Sequence, residues 1–254
     1  MIDALSQALV LPGLAWLALA AFAGGLTRGF AGFGTAMIFI PVASLFLTPV
    51  AAITVMVVTD ILGPAPLIKR AWRDADRPEL SRLAFGALFG VPLGTFALTA
   101  LDPLAFRWAV SLICFALLAL LVSGWRYNGA PGVRFVLALG FAAGFMGGLA
   151  GLPGPLVILF YLSGRREISV IRGVSLLFLF GTDILLVGTF LLRDLLATDY
   201  IVVGLICALP LAVGATVGQH LFRPEKAKLF RFIAYALIAT AALAGLPLFD
   251  GATF

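Results

Sequence analysis

One tetrapeptide occurs twice, each time inside a long apolar segment. Thr59-Asp60-Ile61-Leu62 returns as Thr182-Asp183-Ile184-Leu185. Upstream of each copy lies a glycine-rich stretch, and these match as well: Phe22-Ala-Gly-Gly-Leu-Thr-Arg-Gly-Phe-Ala-Gly-Phe33 and Phe141-Ala-Ala-Gly-Phe-Met-Gly-Gly-Leu-Ala-Gly-Leu152. A carboxylate among apolar residues is costly in lipid, so it must face protein or a water-filled cavity. Glycine breaks at membrane depth are tolerated only where the irregular backbone is shielded from lipid. Paired breaks and paired acids therefore predict a duplicated helical membrane architecture with a polar centre.

Composition supports the membrane. The chain of 254 residues is 62% hydrophobic and only 11% charged, where a soluble domain carries roughly a quarter charged residues. Its mean hydropathy is +1.13. At about 20 residues per span there is room for roughly eight to ten membrane elements. The net charge of +5 does not point to nucleic acid, because the basic residues cluster in short loops. Cys114 and Cys207 fall in apolar runs and read as small buried hydrophobes. No disulfide framework, metal cluster or cofactor motif is present. Met1-Ile-Asp-Ala lacks the basic region of a cleavable signal, so the N-terminus reads as the start of a mature first helix.

Loop charge sets the topology. Apolar elements are expected near 8–28, 34–47, 50–68, 83–100, 105–123, 135–149, 154–162, 173–192, 200–219 and 232–247. Basic residues gather in loops 69–82 (Lys69, Arg70, Arg73, Arg77, Arg82), 124–134 (Arg126, Arg134), 163–172 (Arg165, Arg166, Arg172) and 220–231 (Arg223, Lys226, Lys228, Arg231). The positive-inside rule puts these loops in the cytoplasm and both termini outside. Segment 135–162 then enters and returns from the same side, and 154–162 is too short to span about 30 Å. The fold expected is all-α and polytopic: an inverted-topology repeat, N-out and C-out, in one transmembrane domain. The first repeat is 1–124 (hairpin 8–47, helices 50–68, 83–100 and 105–123). The second is 125–254 (hairpin 135–162, helices 173–192, 200–219 and 232–247). The arms of the first hairpin are long enough to be full helices. Whether the hairpins are re-entrant or full spans is open at this level.

The hairpin tips are where chemistry is expected. Unwound backbone offers amide N–H groups and helix N-termini, which suit an anion. The residues concerned are Arg28, Gly29, Gly32, Phe33, Gly34 and Thr35 in the first half, and Gly147, Gly148, Gly151, Pro153 and Gly154 in the second. The competing reading for the glycines is close helix packing. Arg28 offers a planar fork to sulfonate, carboxylate or phosphate oxygens; pairing with Asp60 or snorkelling to an interface are the alternatives. Gly147 stands at the corresponding place in the second half, so side-chain charge comes from one side only. Asp60 and Asp183 are candidates for proton coupling or for fixed hydrogen-bond acceptors and gates. Thr59 and Thr182 are expected to hydrogen-bond locally. Pro92 and Pro210, each six residues after a matching glycine (Gly86, Gly204), predict kinks. His220, the single histidine, reads as interfacial packing. Phe30 and Phe33 are equally core residues or gates. Trp72 and Trp125 fit an inner aromatic belt.

The two glycine-rich hairpins, Ala23-Gly-Gly-Leu-Thr-Arg-Gly-Phe-Ala-Gly-Phe-Gly34 and Gly144-Phe-Met-Gly-Gly-Leu-Ala-Gly-Leu-Pro-Gly-Pro155, together with the two-half layout, resemble the TauE/SafE family of sulfite and organosulfonate exporters. The resemblance implies a carrier in the bacterial inner membrane that moves a small sulfur-containing oxyanion, such as sulfite or sulfoacetate, outward. It implies an anion site around Arg28–Thr35 and Gly147–Gly154 and assigns no role to Asp60 or Asp183. The expected mechanism is secondary transport by alternating access. The partners expected are the anion, the lipid bilayer and, for an uptake carrier, a coupled proton; a homodimer is an open possibility. An anion channel is the main rival. An intramembrane enzyme is disfavoured, since no histidine–glutamate metal motif and no workable Ser–His pair occurs.

Overall fold

The computed structural model describes residues 8–61, 68–124, 132–163 and 167–249. Among them only helices, short 3-10 turns and connecting loops occur. The helices are α1 (Leu14–Ala31), α2 (Thr35–Ala43), α3 (Pro49–Ile61), α4 (Ile68–Asp74), α5 (Arg77–Ala100), α6 (Pro103–Val122), α7 (Val133–Ala150), α8 (Gly154–Ser163), α9 (Ile168–Leu192), α10 (Ile201–Leu221) and α11 (Ala227–Gly245). Six of them, α5, α6, α7, α9, α10 and α11, are long and apolar enough to cross a membrane, and none has more than 44% of its apolar window buried within the protein. Large side chains on these helices, such as Leu209 (70% exposed), Phe232 (69%) and Phe96 (63%), need lipid to cover them. The chain is an all-α polytopic membrane protein.

Each glycine-rich stretch is a helical hairpin with unequal arms. The first arms, α1 and α7, have 18 residues each; the second, α2 and α8, have 9 and 10. At 1.5 Å per residue the second arms reach only about 14–15 Å, half the hydrocarbon thickness. The second arm of the first hairpin is thus shorter than the full helix that the apolar stretch 34–47 has room for, a choice the sequence leaves open. Pro41 lies inside α2 and has no N–H to give the Met37 carbonyl. The Cys114 thiol lies 3.7 Å from that carbonyl, and the Ser44 hydroxyl donates to Pro41 O at 2.7 Å just past the end of the helix.

Other boundaries also move. The basic segment 69–82 is largely helical: α4 buries Ala71 and exposes Lys69, Arg70, Trp72 and Arg73, and Asp76 Oδ1 accepts the Glu79 N–H at 3.2 Å as α5 begins. Gly173 of α9 lies close to the Ala71 carbonyl and the Ala75 amide. α9 begins at Ile168 and α11 at Ala227, both earlier than hydropathy indicates, because long basic side chains near the start, Arg172 in α9 and Lys228 and Arg231 in α11, can continue a helix into the headgroup region. The end of the expected 50–68 helix (62–67), Trp125 and Arg126 in loop 124–134, and Arg165 and Arg166 in loop 163–172 lie outside the described residues.

By packing, the chain forms two compact units that interleave its halves. One comprises Met1–Asp60, Leu101–Leu118 and Ala197–Phe254; the other comprises Ile61–Ala100 and Ala119–Leu196. In the first, α1 packs on α10 and α2, and α11 on α2 and α1, around the buried Leu17, Met37, Phe39, Ile40 and Ile238. In the second, α5 packs on α7, with α9 against α5 and α4, around Leu83, Val136, Val157, Tyr161 and Phe178.

The same glycine seam is built in each unit. A Cβ on Gly29 would come within 2.6 Å of Ala215 O and 2.8 Å of Gln219 N, and one on Gly218 within 2.6 Å of Leu26 O, so α1 and α10 touch backbone to backbone. In the other unit a Cβ on Gly148 would come within 2.8 Å of Thr95 N and one on Gly90 within 2.8 Å of Phe145 N, joining α7 to α5. Small residues at such crossings let dispersion and weak Cα–H contacts replace the hydrophobic drive that lipid removes. Each seam pairs a hairpin helix with a helix from the opposite half of the sequence. The matching glycines are Gly90 with Gly214 and Gly94 with Gly218, not Gly86 with Gly204. Pro92 and Pro210 lie inside α5 and α10.

Candidate functional site

The first tip is made by two left-handed glycines. Gly32 (φ 82°) ends α1, its N–H donating to Arg28 O at 2.8 Å, and Gly34 (φ 104°) opens α2. Only glycine adopts this conformation without strain. No side chain caps α2 at Gly34, so the first amides of that helix keep their positive end of the dipole at the tip. Phe33, between the glycines, is buried. Thr35 Oγ1 reaches back to Gly24 O at 3.5 Å, and Thr27 Oγ1 donates to Ala23 O at 3.0 Å.

Arg28 stands in the last turn of α1, where a cation complements the helix dipole. Its Nη1 is paired with Asp60 Oδ1 of α3, and the two side chains are 26% and 17% exposed. The alternative weighed from sequence, an Arg28–Asp60 pair, is thus present. Beside it, Thr59 Oγ1 lies 2.6 Å from Val55 O and 3.1 Å from Gly204 O. The local bond is as expected. The bond to Gly204, which ties α3 to α10, has no signal in the sequence.

The second tip is built differently. Gly151 (φ 68°) ends α7, with its N–H on Gly147 O at 2.8 Å and the Leu152 N–H on Met146 O at 3.3 Å; the first is the 5→1 bond of an αL closure. Gly147 faces Pro153, and Gly154, the first residue of α8, faces the Leu179 side chain. Thr182 Oγ1 donates to Leu179 O at 2.7 Å. Asp183 lies partly buried in α9. The structure therefore gives Gly29 and Gly148 to helix seams, Gly32, Gly34 and Gly151 to turns, Arg28 and Asp60 to an ion pair, and Thr59 to the contact of α3 with α10. Phe30 stacks against Phe230 (centroids 4.9 Å apart), which meets Phe222. His220 Nδ1 lies 2.8 Å from Thr216 O of its own helix.

Two charged residues not singled out from sequence are partly or fully buried. Arg107 of α6 donates from Nε to Gly245 O at 3.1 Å and from Nη2 to Leu246 O at 3.4 Å, covering the carbonyls that α11 leaves open at its C-terminus. Its position between Phe106 and Trp108 inside an apolar run was the available signal. Glu79 is 3% exposed in the first turn of α5, where an acid complements the helix dipole. Among the described residues no group of three or more His, Cys, Asp or Glu side chains could hold a metal.

The family model for the sulfite exporter TauE/SafE matches residues 17–245, which include both hairpins and all six apolar spans. The chain belongs to the TauE/SafE family. TauE/SafE proteins are membrane transporters, and the multi-pass helical architecture here is of that kind. No curated protein and no solved structure matches this TauE/SafE chain.

Proposed function

We propose that this chain exports a small sulfur-containing oxyanion, an organosulfonate such as sulfoacetate or sulfite itself, across the bacterial inner membrane by alternating access. The observation that carries the reading is Arg28 held at a glycine tip beside the uncapped N-terminus of α2, in a TauE/SafE-family chain. A sulfonate has three oxygens: two can take the guanidinium fork and one a helix amide. The second tip carries no charged side chain, so the first tip is the principal anion contact.

The orientation proposed is N-out and C-out, from the basic loops, with the two sequence halves as inverted repeats. The duplicated seams of α1 with α10 and α7 with α5 support a duplication. An inside-negative potential pushes a cytosolic anion outward by about 2.3 kcal/mol per charge per 100 mV, so export needs no coupled ion. The mid-helix Asp183 favours one second reading, proton-coupled uptake of an organic anion.

Purified protein in liposomes loaded with sulfite or sulfoacetate tests this. Expected are saturable efflux driven by an imposed potential, counterflow on trans addition of the same anion, and loss of both in Arg28→Gln. Non-saturating flux without counterflow would instead indicate a channel. Uptake that requires a proton gradient and disappears in Asp183→Asn would replace export with the second reading.

A further inference from the structure

The Arg28–Asp60 pair joins two helices whose residues are 32 positions apart in sequence. Neither side chain is sealed: 26% of the arginine and 17% of the aspartate remain exposed. An arginine fork does not distinguish in kind between a carboxylate edge and the edge of a sulfonate or sulfite, since both present two oxygens at similar spacing. Asp60 Oδ1 holds Nη1 of Arg28, one of the donors that a free oxyanion would take. The α3 backbone beneath it is tied down, because Thr59 bonds both within α3 and to Gly204 O. The carboxylate can leave Arg28 by side-chain rotation without moving its helix.

Resting on the anion-site reading above, we infer that Asp60 is a displaceable internal competitor: it holds Arg28 in the empty carrier and is exchanged for the transported oxyanion. Two consequences follow from elementary energetics. The empty carrier never presents an uncompensated arginine to the membrane interior, which would be costly. An incoming anion must also outbid a tethered carboxylate. A planar monocarboxylate offers the same two oxygens as Asp60 and gains nothing in the exchange. A pyramidal or tetrahedral oxyanion brings a third oxygen for the uncapped first turn of α2. Asp60 is thus a specificity-determining residue that selects three-oxygen anions over carboxylates, although its own position is on a different helix from the tip.

Binding to the purified full chain at fixed pH and ionic strength tests the inference, with isethionate, sulfite and acetate as probes. If Asp60 occupies Arg28 in about nine molecules of ten, removing it raises apparent affinity roughly tenfold. Asp60→Asn should bind isethionate and sulfite about that much more tightly and should gain measurable affinity for acetate, so that discrimination narrows. Arg28→Gln should lose both anions. Binding lost in Arg28→Gln but unchanged or weakened in Asp60→Asn would overturn the competitor role and leave the anion site standing. Binding unchanged in Arg28→Gln would overturn the site itself, and the inference with it. Should Asp60→Asn not fold, infrared difference spectra of the unmodified protein decide: isethionate should shift a carboxylate stretch that is absent from the difference spectrum of Asp60→Glu at the same frequency. No carboxylate band in the unmodified protein would sink the idea.

Discussion

Gly29 lies against Ala215 so closely that a methyl group on it would come within 2.6 Å of the Ala215 carbonyl oxygen. The neighbour is backbone in a packed helix and cannot rotate away. Gly29→Ala should therefore lower stability by about 1–3 kcal/mol, the ordinary cost of forcing a methylene into a full site. Gly148→Ala, with its Cβ 2.8 Å from Thr95 N, should cost a similar amount. Thermal unfolding in detergent measures both, and an unchanged melting temperature in either would mean that the seam has room for a methyl group.

Gly32 and Gly34 separate two costs that usually come together. Both have left-handed backbone, but a Cβ on Gly32 meets nothing within 4 Å, while one on Gly34 meets Thr27 Cγ2 at 2.8 Å. Gly32→Ala should cost only the backbone term, about 1–2 kcal/mol. Gly34→Ala should cost more, and shortening the neighbour in the double variant Gly34→Ala/Thr27→Ser should recover part of the excess. Equal destabilisation by the two single variants would argue against the tip geometry.

Arg107 is expected to be structural. Its guanidinium bonds to Gly245 O and Leu246 O tie α6 to the end of α11, and hydrogen bonds from a charged donor contribute about 1.5–3 kcal/mol. Arg107→Ala should destabilise the protein by an amount in that range while leaving sulfite affinity unchanged. Arg107→Lys should recover little, since an ammonium cannot span two carbonyls as a fork does. Weakened anion binding in Arg107→Ala, in protein that remains folded, would assign Arg107 to the transport path instead.

Much of this protein is legible in its primary structure. The spans are visible because lipid tolerates few charges, so hydropathy alone marks them. The hairpin tips are visible because glycines that turn a chain at membrane depth have no substitute. The likeness of the two halves, and with it the pairing of Asp60 with Asp183 as equivalent residues, is visible as repeated letters. Resemblance to the TauE/SafE family rested on those same glycines, and the family match covers them.

Which face each residue presents to which neighbour was not legible. Alignment by local spacing matches Gly86 with Gly204, whereas packing matches Gly90 with Gly214, because helix contacts follow rotation and depth and not the distance to a nearby proline. The short α2 depended on where Pro41 and Ser44 fell relative to Cys114, and the helical α4 on whether Gly173 stood opposite Ala71. Arg28 could have been a lone cation at the tip or half of an ion pair; the fold brought Asp60 to it. Hydropathy and glycine positions determine that a chain enters the bilayer, turns and returns, since those depend on transfer energies of single segments. Long-range pairs such as Arg28 with Asp60 or Thr59 with Gly204 depend on helix–helix docking, in which every segment is comparably apolar, and only the assembled tertiary structure selects among the arrangements.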